Sequence, residues 1–223
     1  RQLPPPLGAA GAVVEVDGQP LVNFSSNDYL NLAADRRLIE AAVEETGRSG
    51  VGRGASPLVS GRCSAHVQLE QRLAEFEGCG AARLCPAGYA SNVGVVPALV
   101  DRGDAIYGDA KNHASLIDGC RLSRADRHIY PHGDASALAG MLSEGQAYRR
   151  RLIVTDSVFS MDGDLAPLPE LAELAVKYNA MLLIDEAHAT GVFGAGGRGA
   201  IEHFAERSPH LHEAALIRIG TLS

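Results

Sequence analysis

The sequence predicts an α/β fold, a three-layer sandwich around a mostly parallel central sheet. Short apolar segments typical of strands alternate with amphipathic segments typical of helices from residue 82 to residue 219. The run Met181–Asp185 is apolar up to its final carboxylate, which is typical of a strand buried on both faces of a parallel sheet. A chain of 223 residues with 46% hydrophobic residues can bury the core that such a sheet needs.

The first part of the chain is expected to hold a hairpin and two helices. Asp17 and Gly18 lie between two apolar segments and favour a two-residue turn. Asp35 precedes an amphipathic segment, as a helix N-cap does. The predicted elements are strands 13–16 and 21–24, helices 35–47 and 66–78, and a glycine-rich loop over 49–64. We therefore predict an N-terminal segment over residues 1–48 and a large domain over residues 49–223.

The large domain is where strands and helices are expected to alternate. The predicted strands are 82–85, 105–107, 127–130, 152–155, 181–185 and 216–219. The predicted helices that separate most of them are 89–100, 114–122, 134–143 and 167–178. Alternation of this kind favours a parallel sheet covered by helices.

Composition excludes several classes of function. The formal net charge of −7 disfavours a nucleic-acid surface, which needs a basic stripe. No apolar run reaches the roughly 18 residues that a membrane helix needs. The four cysteines, Cys63, Cys79, Cys85 and Cys120, contain no C-x-x-C pair. That pattern predicts reduced core thiols in a cytoplasmic protein and no metal site.

Asp185 and His188 are the first candidates for a functional site. Ligands of parallel sheets bind beyond the carboxyl ends of the strands, and a buried strand-end carboxylate needs a partner. The letters DEAH also occur in helicases, which require a phosphate loop with a glycine-lysine pair. Neither Lys111 nor Lys177 follows a glycine, so the helicase hypothesis is disfavoured. On this segment alone, a carboxylate that merely caps a loop stays an alternative.

Residues 194–199, GAGGRG, match the glycine pattern of dinucleotide-binding loops. Such a loop should follow a strand directly and open a helix, with an acidic residue about 20 positions later. Here the loop begins nine residues after Asp185, and no acidic residue follows at that distance. A flexible connecting loop is the favoured interpretation.

Three further segments place polar groups after predicted strands. The amides of Gly88 and Tyr89 would open a helix and form an anion site, with a plain turn as the alternative. His113 could stack on a flat ring or transfer a proton, or simply be exposed. Ser160 offers a hydroxyl, in a segment whose two aspartates fall short of a calcium loop and could form only a turn.

Together these groups suit pyridoxal phosphate. An amide cradle would hold its phosphate, an imidazole would stack on its ring, and a hydroxyl would bind its phenolic oxygen. Its pyridine nitrogen must stay protonated for the ring to accept electrons, and a carboxylate such as Asp185 favours that state. We therefore predict a pyridoxal-phosphate enzyme.

The chain also carries eight motifs in order: NFSSNDYL (23–30), GASPLVSG (54–61), HVQLEQRLAEFEG (66–78), AGYASN (87–92), HASL (113–116), VFSMDGDLAPL (158–168), IDEAHATGVFG (184–194) and GTLS (220–223). Together these motifs resemble the α-oxoamine synthases. That family has the pyridoxal-phosphate transferase fold type I and joins an amino acid to an acyl thioester with loss of carbon dioxide. The resemblance implies a cytoplasmic homodimer that uses these two substrates.

The resemblance also implies how the cofactor is held. The amides of Gly88 and Tyr89 would bind the phosphate together with the hydroxyl of Thr221. His113 would stack on the ring and help to orient the substrate. Asp185 would pair with the ring nitrogen.

Three other side chains have roles that the resemblance implies. His188 and Ser160 would contact the phenolic oxygen, and Asn27 would help to bind the carboxylate of the amino acid. The lysine that binds the cofactor covalently is expected directly after Ser223. The family's small domain, with an arginine for the substrate carboxylate, is expected beyond it.

Two departures from the family pattern stand out. Asn31 occupies the place of a glycine after NDYL, which alters a turn. The sequence ends at Ser223, before the expected lysine. One hypothesis is that a lysine carrying cofactor follows directly after this residue. The alternative from another class is a non-catalytic partner subunit that lacks this lysine.

Overall fold

A computed structural model describes residues 11–222 of the chain. The described residues form two compact units, residues 11–84 and residues 85–222. The predicted division between residues 48 and 49 stays a prediction, because a compact unit need not coincide with a domain.

The hairpin of the first unit is confirmed. Strands β1 (Val13–Val16) and β2 (Gln19–Val22) pair antiparallel, with Val16 opposite Gln19. The turn residues Asp17 and Gly18 take φ of 54° and 75°. A two-residue turn of this kind requires positive φ at both positions, which aspartate and glycine tolerate. The turn therefore places the start of β2 at Gln19, two residues before the predicted start.

Two helices complete the first unit. Helix α1 (Arg36–Ser49) begins after Asp35, whose side chain accepts a hydrogen bond from the amide of Arg37, so the predicted N-cap is confirmed. The predicted stop at Gly47 is wrong, because the helix continues to Ser49 and is capped by Gly50, where φ is 78°. A single glycine inside a helix costs only about 1 kcal/mol. Helix α2 (Ser64–Glu77) ends at Gly78 in the left-handed conformation.

The second unit contains the parallel sheet and its helices. Its strands are β3 (Ala105–Asp109), β4 (Asp126–Tyr130), β5 (Arg151–Asp156), β6 (Met181–Asp185) and β7 (Ala215–Ile219). Its helices are α3 (Gly88–Leu99), α4 (Ala114–Leu122), α5 (Ala135–Glu144), α6 (Leu168–Lys177), α7 (Ala200–Ala205) and α8 (His210–Glu213), with a 3-10 turn at Gly145–Ala147. Apart from the strand predicted over residues 82–85, the elements predicted here are confirmed within two residues at each end, and α7 and α8 were not predicted.

The predicted strand over residues 82–85 is wrong, since this segment is irregular. The amide of Leu84 donates to Glu70 Oε1 at 3.2 Å, and Arg83 Nη1 lies 3.0 Å from Glu70 Oε2. A backbone amide that donates to this buried carboxylate is not available for a strand ladder.

The sheet is fully parallel, with strand order β4-β3-β5-β6-β7. Strand β6 explains why its sequence is continuously apolar. Leu182 and Ile184 pack in a core beneath α5, α6, α7 and α8, whereas Leu183 packs on the opposite face with α3 and α4. Successive side chains of a strand point to opposite faces, so both faces of β6 need apolar residues. The predicted three-layer sandwich is confirmed.

The structure also describes the four cysteines and the length of the helices. The predicted core position is confirmed for Cys120, which is buried. It is wrong for Cys63, Cys79 and Cys85, which are not buried. All four are free thiols. Within residues 11–222, no helix combines the length and apolar character needed to cross a bilayer.

Helices α3 and α4 cross at a glycine. A Cβ atom added to Gly119 would lie 2.6 Å from the backbone oxygen of Asn92 and 3.3 Å from Val96 Cβ. The first distance is too short for any side chain, so glycine sets the spacing of the two helices. By contrast, nothing lies within 4 Å of a Cβ atom added to Gly140 in α5.

Gly119→Ala should destabilise the protein by about 1–3 kcal/mol, since the new methyl group overpacks the helix contact. Gly140→Ala is the matched control and should stabilise it by about 0.5–1 kcal/mol, because alanine loses less backbone entropy in a helix. Urea unfolding followed by circular dichroism measures both. Equal effects of the two substitutions would contradict the role of Gly119.

Candidate functional site

The carboxyl ends of neighbouring strands bring the candidate residues to one edge of the sheet. Strands β3, β5, β6 and β7 lie side by side and run in the same direction. The loops that follow them carry, in that order, His113, Ser160, His188 and Thr221. Asp185 is the last residue of β6. The structure therefore places these five sequence-predicted residues on a single edge.

Asp185 is held by two hydrogen bonds. The residue is only 6% exposed. Its Oδ2 accepts from Asn92 Nδ2 at 2.7 Å, and its Oδ1 accepts from the amide of Ala187 at 3.0 Å. One oxygen on each donor fixes the orientation of the carboxylate. Asn92 comes from α3, one helical turn after Gly88, and its role was missed in the sequence.

The amide of Asn92 also links Asp185 to His113. Its second hydrogen goes to Ser115 Oγ, at 2.9 Å. Ser115 Oγ in turn lies 2.7 Å from His113 Nδ1. Ser115 belongs to the HASL motif, but nothing in the residue type alone distinguishes it from the usual polar residue of a helix first turn. A connected chain of four side chains therefore runs under the edge of the sheet.

Asp156 is a second buried carboxylate at this edge. It ends β5, directly beside Asp185 in the register of the sheet, and is 4% exposed. Its Oδ2 accepts from the backbone amide of His113 at 2.7 Å. Burial raises the pKa of Asp156 to about 7, and the neighbouring carboxylates of Asp185 and Asp109 add to the increase. The sequence contained the evidence, because Leu152–Asp156 is an apolar run ending in aspartate like that of β6.

The start of α3 suits a phosphate. Ala87 occupies the N-cap and has no side chain that could accept from the first amides, which lack partners inside the helix. A Cβ atom added to Gly88 would lie 3.6 Å from Thr221 Cβ and 3.9 Å from its Oγ1. The hydroxyl of Thr221 thus lies close to the helix start. The phenol hydroxyl of Tyr89 donates a hydrogen bond to Asp118 Oδ2 at 2.6 Å, so the side chain of Tyr89 points towards α4.

This arrangement fits pyridoxal phosphate. Backbone amides at a helix N-terminus, without a side-chain cap, form an anion site beside a glycine that leaves room for close approach. The buried Asp185 is a partner for a protonated ring nitrogen. The donor set is therefore chemically complementary to the cofactor that the sequence predicts.

The segment that carries Ser160 is anchored by an ion pair. Ser160 is exposed in the loop after β5. Lys111 Nζ, from the loop after β3, lies 2.5 Å from Asp162 Oδ2. Side chains of both residues are about half exposed, so the pair contributes mainly to positioning.

His132 provides a second anchor for the same loop, and this role was not predicted. Its Nδ1 lies 2.9 Å from Asp109 Oδ1, and its Nε2 lies 2.7 Å from Asp164 Oδ2. Burial opposes the charged form of the ring, but hydrogen bonds to the two carboxylates outweigh it and raise the pKa of His132. The ring therefore ties the loop after β5 to the end of β3.

His188 and Asn27 are the two remaining candidate residues. His188 is half-buried, three residues beyond Asp185. Asn27 is exposed in the first compact unit, where its Oδ1 lies 3.5 Å from Tyr29 Oη. The roles that the sequence assigns to these two residues stay predictions.

The GAGGRG segment (194–199) uses its amides inside the chain. Glu202 Oε2 accepts from the amides of Gly196 and Arg198 at 2.9 and 3.0 Å. The carboxylate of Glu186 accepts from the first two amides of α7, both at 2.9 Å. These donors are thus already occupied by carboxylates, and the segment is a connecting loop. A dinucleotide phosphate would have to displace them.

Asp156 should make the stability of the protein depend on pH. Its pKa is raised from 3.8 to about 7 on folding, so its stabilising contribution is complete below pH 3.8 and is lost as the pH rises to about 7. Asp156→Asn keeps an acceptor for the His113 amide and removes the proton. Between pH 3.8 and about pH 7, the free energy of unfolding of the wild type should therefore fall relative to that of Asp156→Asn, by up to about 1.4 kcal/mol per pH unit.

Asp104→Asn is the control of opposite sign. Asp104 is buried, and hydrogen bonds from Arg149 lower its pKa to about 2, so its contribution is complete above pH 3.8 and lost only in stronger acid. This variant should be less stable than the wild type by a constant amount between pH 5 and pH 8. Urea unfolding without added cofactor measures all three proteins. Parallel curves for wild type and Asp156→Asn would refute the assignment.

This chain is similar in sequence to proteins named 8-amino-7-oxononanoate synthase and in structure to serine palmitoyltransferases. An 8-amino-7-oxononanoate synthase of Herminiimonas arsenicoxydans is 55% identical over 194 residues, which are 87% of this chain and 50% of that protein. The serine palmitoyltransferase of Sphingomonas wittichii superposes with a TM-score of 0.85 and 31% identity, over 91% of this chain and 52% of that one. Another solved structure, of SPT with PLP, superposes with a TM-score of 0.81 and 32% identity over 86% and 48% of the two chains.

The chain spans about half the length of the curated relatives that it matches. The names of these relatives confirm the resemblance to α-oxoamine synthases. A family model described as "Aminotransferase class I and II" matches residues 19–223. This match covers most of the sequence, and the chain therefore belongs to the aminotransferase class I and II family.

Proposed function

We propose that the protein is a pyridoxal-phosphate-dependent acyltransferase that makes 8-amino-7-oxononanoate, the reaction of biotin biosynthesis. It would condense L-alanine with a pimeloyl thioester and release carbon dioxide. The observation that carries this proposal is the buried carboxylate of Asp185, held by Asn92 from the helix that Gly88 opens. That helix therefore connects the anion site to the partner of the ring nitrogen.

The residues at the edge of the sheet divide the work of binding. The amides of Gly88 and Tyr89 and the hydroxyl of Thr221 would hold the phosphate. His113, whose backbone is fixed by Asp156, would cover one face of the ring and orient the substrate. The covered face would exclude water from the reacting atoms.

Electrostatics would come from Asp185, His188 and Ser160. When bound, pyridoxal phosphate supplies an electron sink for the charge that develops at the α-carbon of the amino acid. Asp185 would keep a proton on the ring nitrogen, since an opposite charge favours the charged form. His188 and Ser160 would donate to the phenolic oxygen, and the anchors at Lys111 and His132 would hold the Ser160 loop in place.

Alanine and a pimeloyl thioester are the favoured substrates because of the relatives. Sequence identity to proteins named 8-amino-7-oxononanoate synthase reaches 55%, against 31% to the serine palmitoyltransferase of Sphingomonas wittichii. Serine palmitoyltransferase is the second candidate, since its structure superposes over 91% of this chain. Glycine C-acetyltransferase and 5-aminolevulinate synthase are further candidates within the α-oxoamine synthases.

We further propose that the protein acts as a cytoplasmic homodimer. Asn27 would reach the carboxylate of the amino acid. A non-catalytic partner subunit, the candidate from another class, would have no use for the paired Asp185 and Asn92.

A substrate panel tests the reaction. The full-length protein with pyridoxal phosphate should release free thiol from pimeloyl-CoA or a pimeloyl carrier protein in the presence of L-alanine. Glycine and L-serine should give rates at least about tenfold lower, because each differs from alanine by one small group that a close pocket can reject. Palmitoyl-CoA with L-serine is the control for the second candidate, and faster turnover of that pair would overturn the proposal.

Asp185→Asn should lower activity and cofactor affinity by about 10- to 1000-fold, the range expected when an opposite charge worth 1–3 pKa units is removed. Asp101→Asn is the matched control, because Asp101 lies before β3, at the other edge of the sheet, and pairs with Arg124. Cofactor titration by visible absorption and thiol release measure both variants. If Asp185→Asn binds cofactor as the wild type does, the assignment of Asp185 is wrong.

A further inference from the structure

We propose that Asn92 and Ser115 are positioning residues that determine which ring nitrogen of His113 carries the proton. The determinant is the hydrogen-bonded chain from Asp185 through these two side chains. The arrangement of protons follows from the contacts alone. Its consequence for catalysis rests on the proposed function.

The first step concerns the ring of His113. The backbone amide of Ser115 donates to His113 Nδ1 at 3.2 Å. An amide N–H cannot accept a hydrogen bond, so this long contact favours a lone pair on Nδ1. A neutral imidazole carries its proton on only one nitrogen, so a lone pair on Nδ1 places the proton on Nε2. The shorter contact of Nδ1 is with the hydroxyl of Ser115, and that side chain is needed to complete the preference.

The second step concerns the hydroxyl of Ser115. Asn92 Nδ2 lies 2.9 Å from Ser115 Oγ and can only donate to it. The hydroxyl proton of Ser115 is then available for His113 Nδ1, 2.7 Å away. Two donors thus converge on the same nitrogen of His113 and exclude a proton from it.

The third step concerns the orientation of Asn92. Its amide could in principle present oxygen instead of nitrogen to its neighbours. Asp185 Oδ2, 2.7 Å away, is a carboxylate oxygen and requires a donor, so the nitrogen must face it. Asp185 therefore sets the orientation of the Asn92 amide and, with it, the direction of the hydrogen bond to Ser115.

Asn92 also carries a cost that its packing does not explain. The residue is 1% exposed, and its Oδ1 has no hydrogen-bond partner among residues 11–222. A buried carbonyl without a partner is unfavourable. The two donors of its amide, which serve Asp185 and Ser115, account for an asparagine at this position.

The consequence is a defined donor at the edge of the sheet. His113 is exposed, and with Nδ1 occupied it presents Nε2–H to whatever binds there. In the proposed reaction this N–H can donate to an oxygen of the substrate while the ring covers the cofactor. A ring with the proton on Nδ1 would present a lone pair to the same oxygen and repel it.

Nitrogen NMR of the full-length protein, labelled with 15N-histidine, reports this arrangement directly. The resonances of His113 are identified by their loss in His113→Gln. Wild type should show an unprotonated Nδ1 and a protonated Nε2 near neutral pH. In Ser115→Ala and in Asn92→Ala the Nδ1 resonance should shift towards that of a mixed population of tautomers.

Two variants separate positioning from general damage. Ser115→Thr keeps a hydroxyl and should restore the wild-type resonances. Ser123→Ala removes a buried hydroxyl from the end of the same helix, where Ser123 Oγ donates to Cys120 O at 2.9 Å, and should leave them unchanged. A wild-type ring protonated on Nδ1, or Ser115→Ala resonances equal to those of wild type, would overturn the proposal.

Activity gives an independent result. Ser115→Ala should lower kcat for the proposed condensation about tenfold, and Ser115→Thr should recover most of it, as for the loss of a positioned donor. If the substrate panel fails but the resonances behave as described, the proposed function is wrong and the chain of hydrogen bonds stands. If the panel succeeds and the resonances do not respond, the inference about Asn92 and Ser115 is wrong.

Discussion

Three neighbouring strands of the sheet end in buried aspartates, and the arrangement of the surrounding loops depends on how these like charges are accommodated. Asp109, Asp156 and Asp185 close β3, β5 and β6 and are 3%, 4% and 6% exposed. Each receives donors from a different part of the chain: amides of Lys111 and Gly133, the amide of His113, and the side chain of Asn92. Buried carboxylates without such donors would be prohibitively unfavourable.

These three acids differ in what their environments do to them. Asp109 Oδ1 lies 2.9 Å from His132 Nδ1, whereas Asp156 has only neutral donors, and burial raises the pKa of Asp156 to about 7. Near neutral pH the carboxyl group of Asp156 can therefore carry a proton and still accept the hydrogen bond from the His113 amide.

Much of this fold could be predicted from local chemistry. Strand β6 is determined by burial on both faces and the turn at Asp17 by positive φ, and a short window of sequence contains both signals. The strand expected at residues 82–85 failed because the Leu84 amide bonds to Glu70, fourteen residues away in the chain. Hydrogen bonds between residues this far apart in the chain leave no local sequence pattern. Helix α7 was not predicted for the same reason, because its cap is the carboxylate of Glu186, fourteen residues before Ala200.

For the site, motifs located the residues that would touch the cofactor but not those that orient them. Asp185 and His113 are visible in the sequence because they follow strands. Asn92 lies inside a helix and Ser115 at the start of another, where a polar residue has many ordinary reasons to occur. Their importance is apparent only when α3 and α4 are packed together.

The close crossing of α3 and α4 also has a consequence for how variation in this protein should be interpreted. Gly119 carries no chemistry, yet the atom that it accommodates is the backbone oxygen of Asn92. A methyl group at this position would displace Asn92, whose side-chain amide donates to both Asp185 and Ser115. An altered proton position on His113 could thus originate in an apolar change between two helices, and comparisons restricted to polar residues would overlook it.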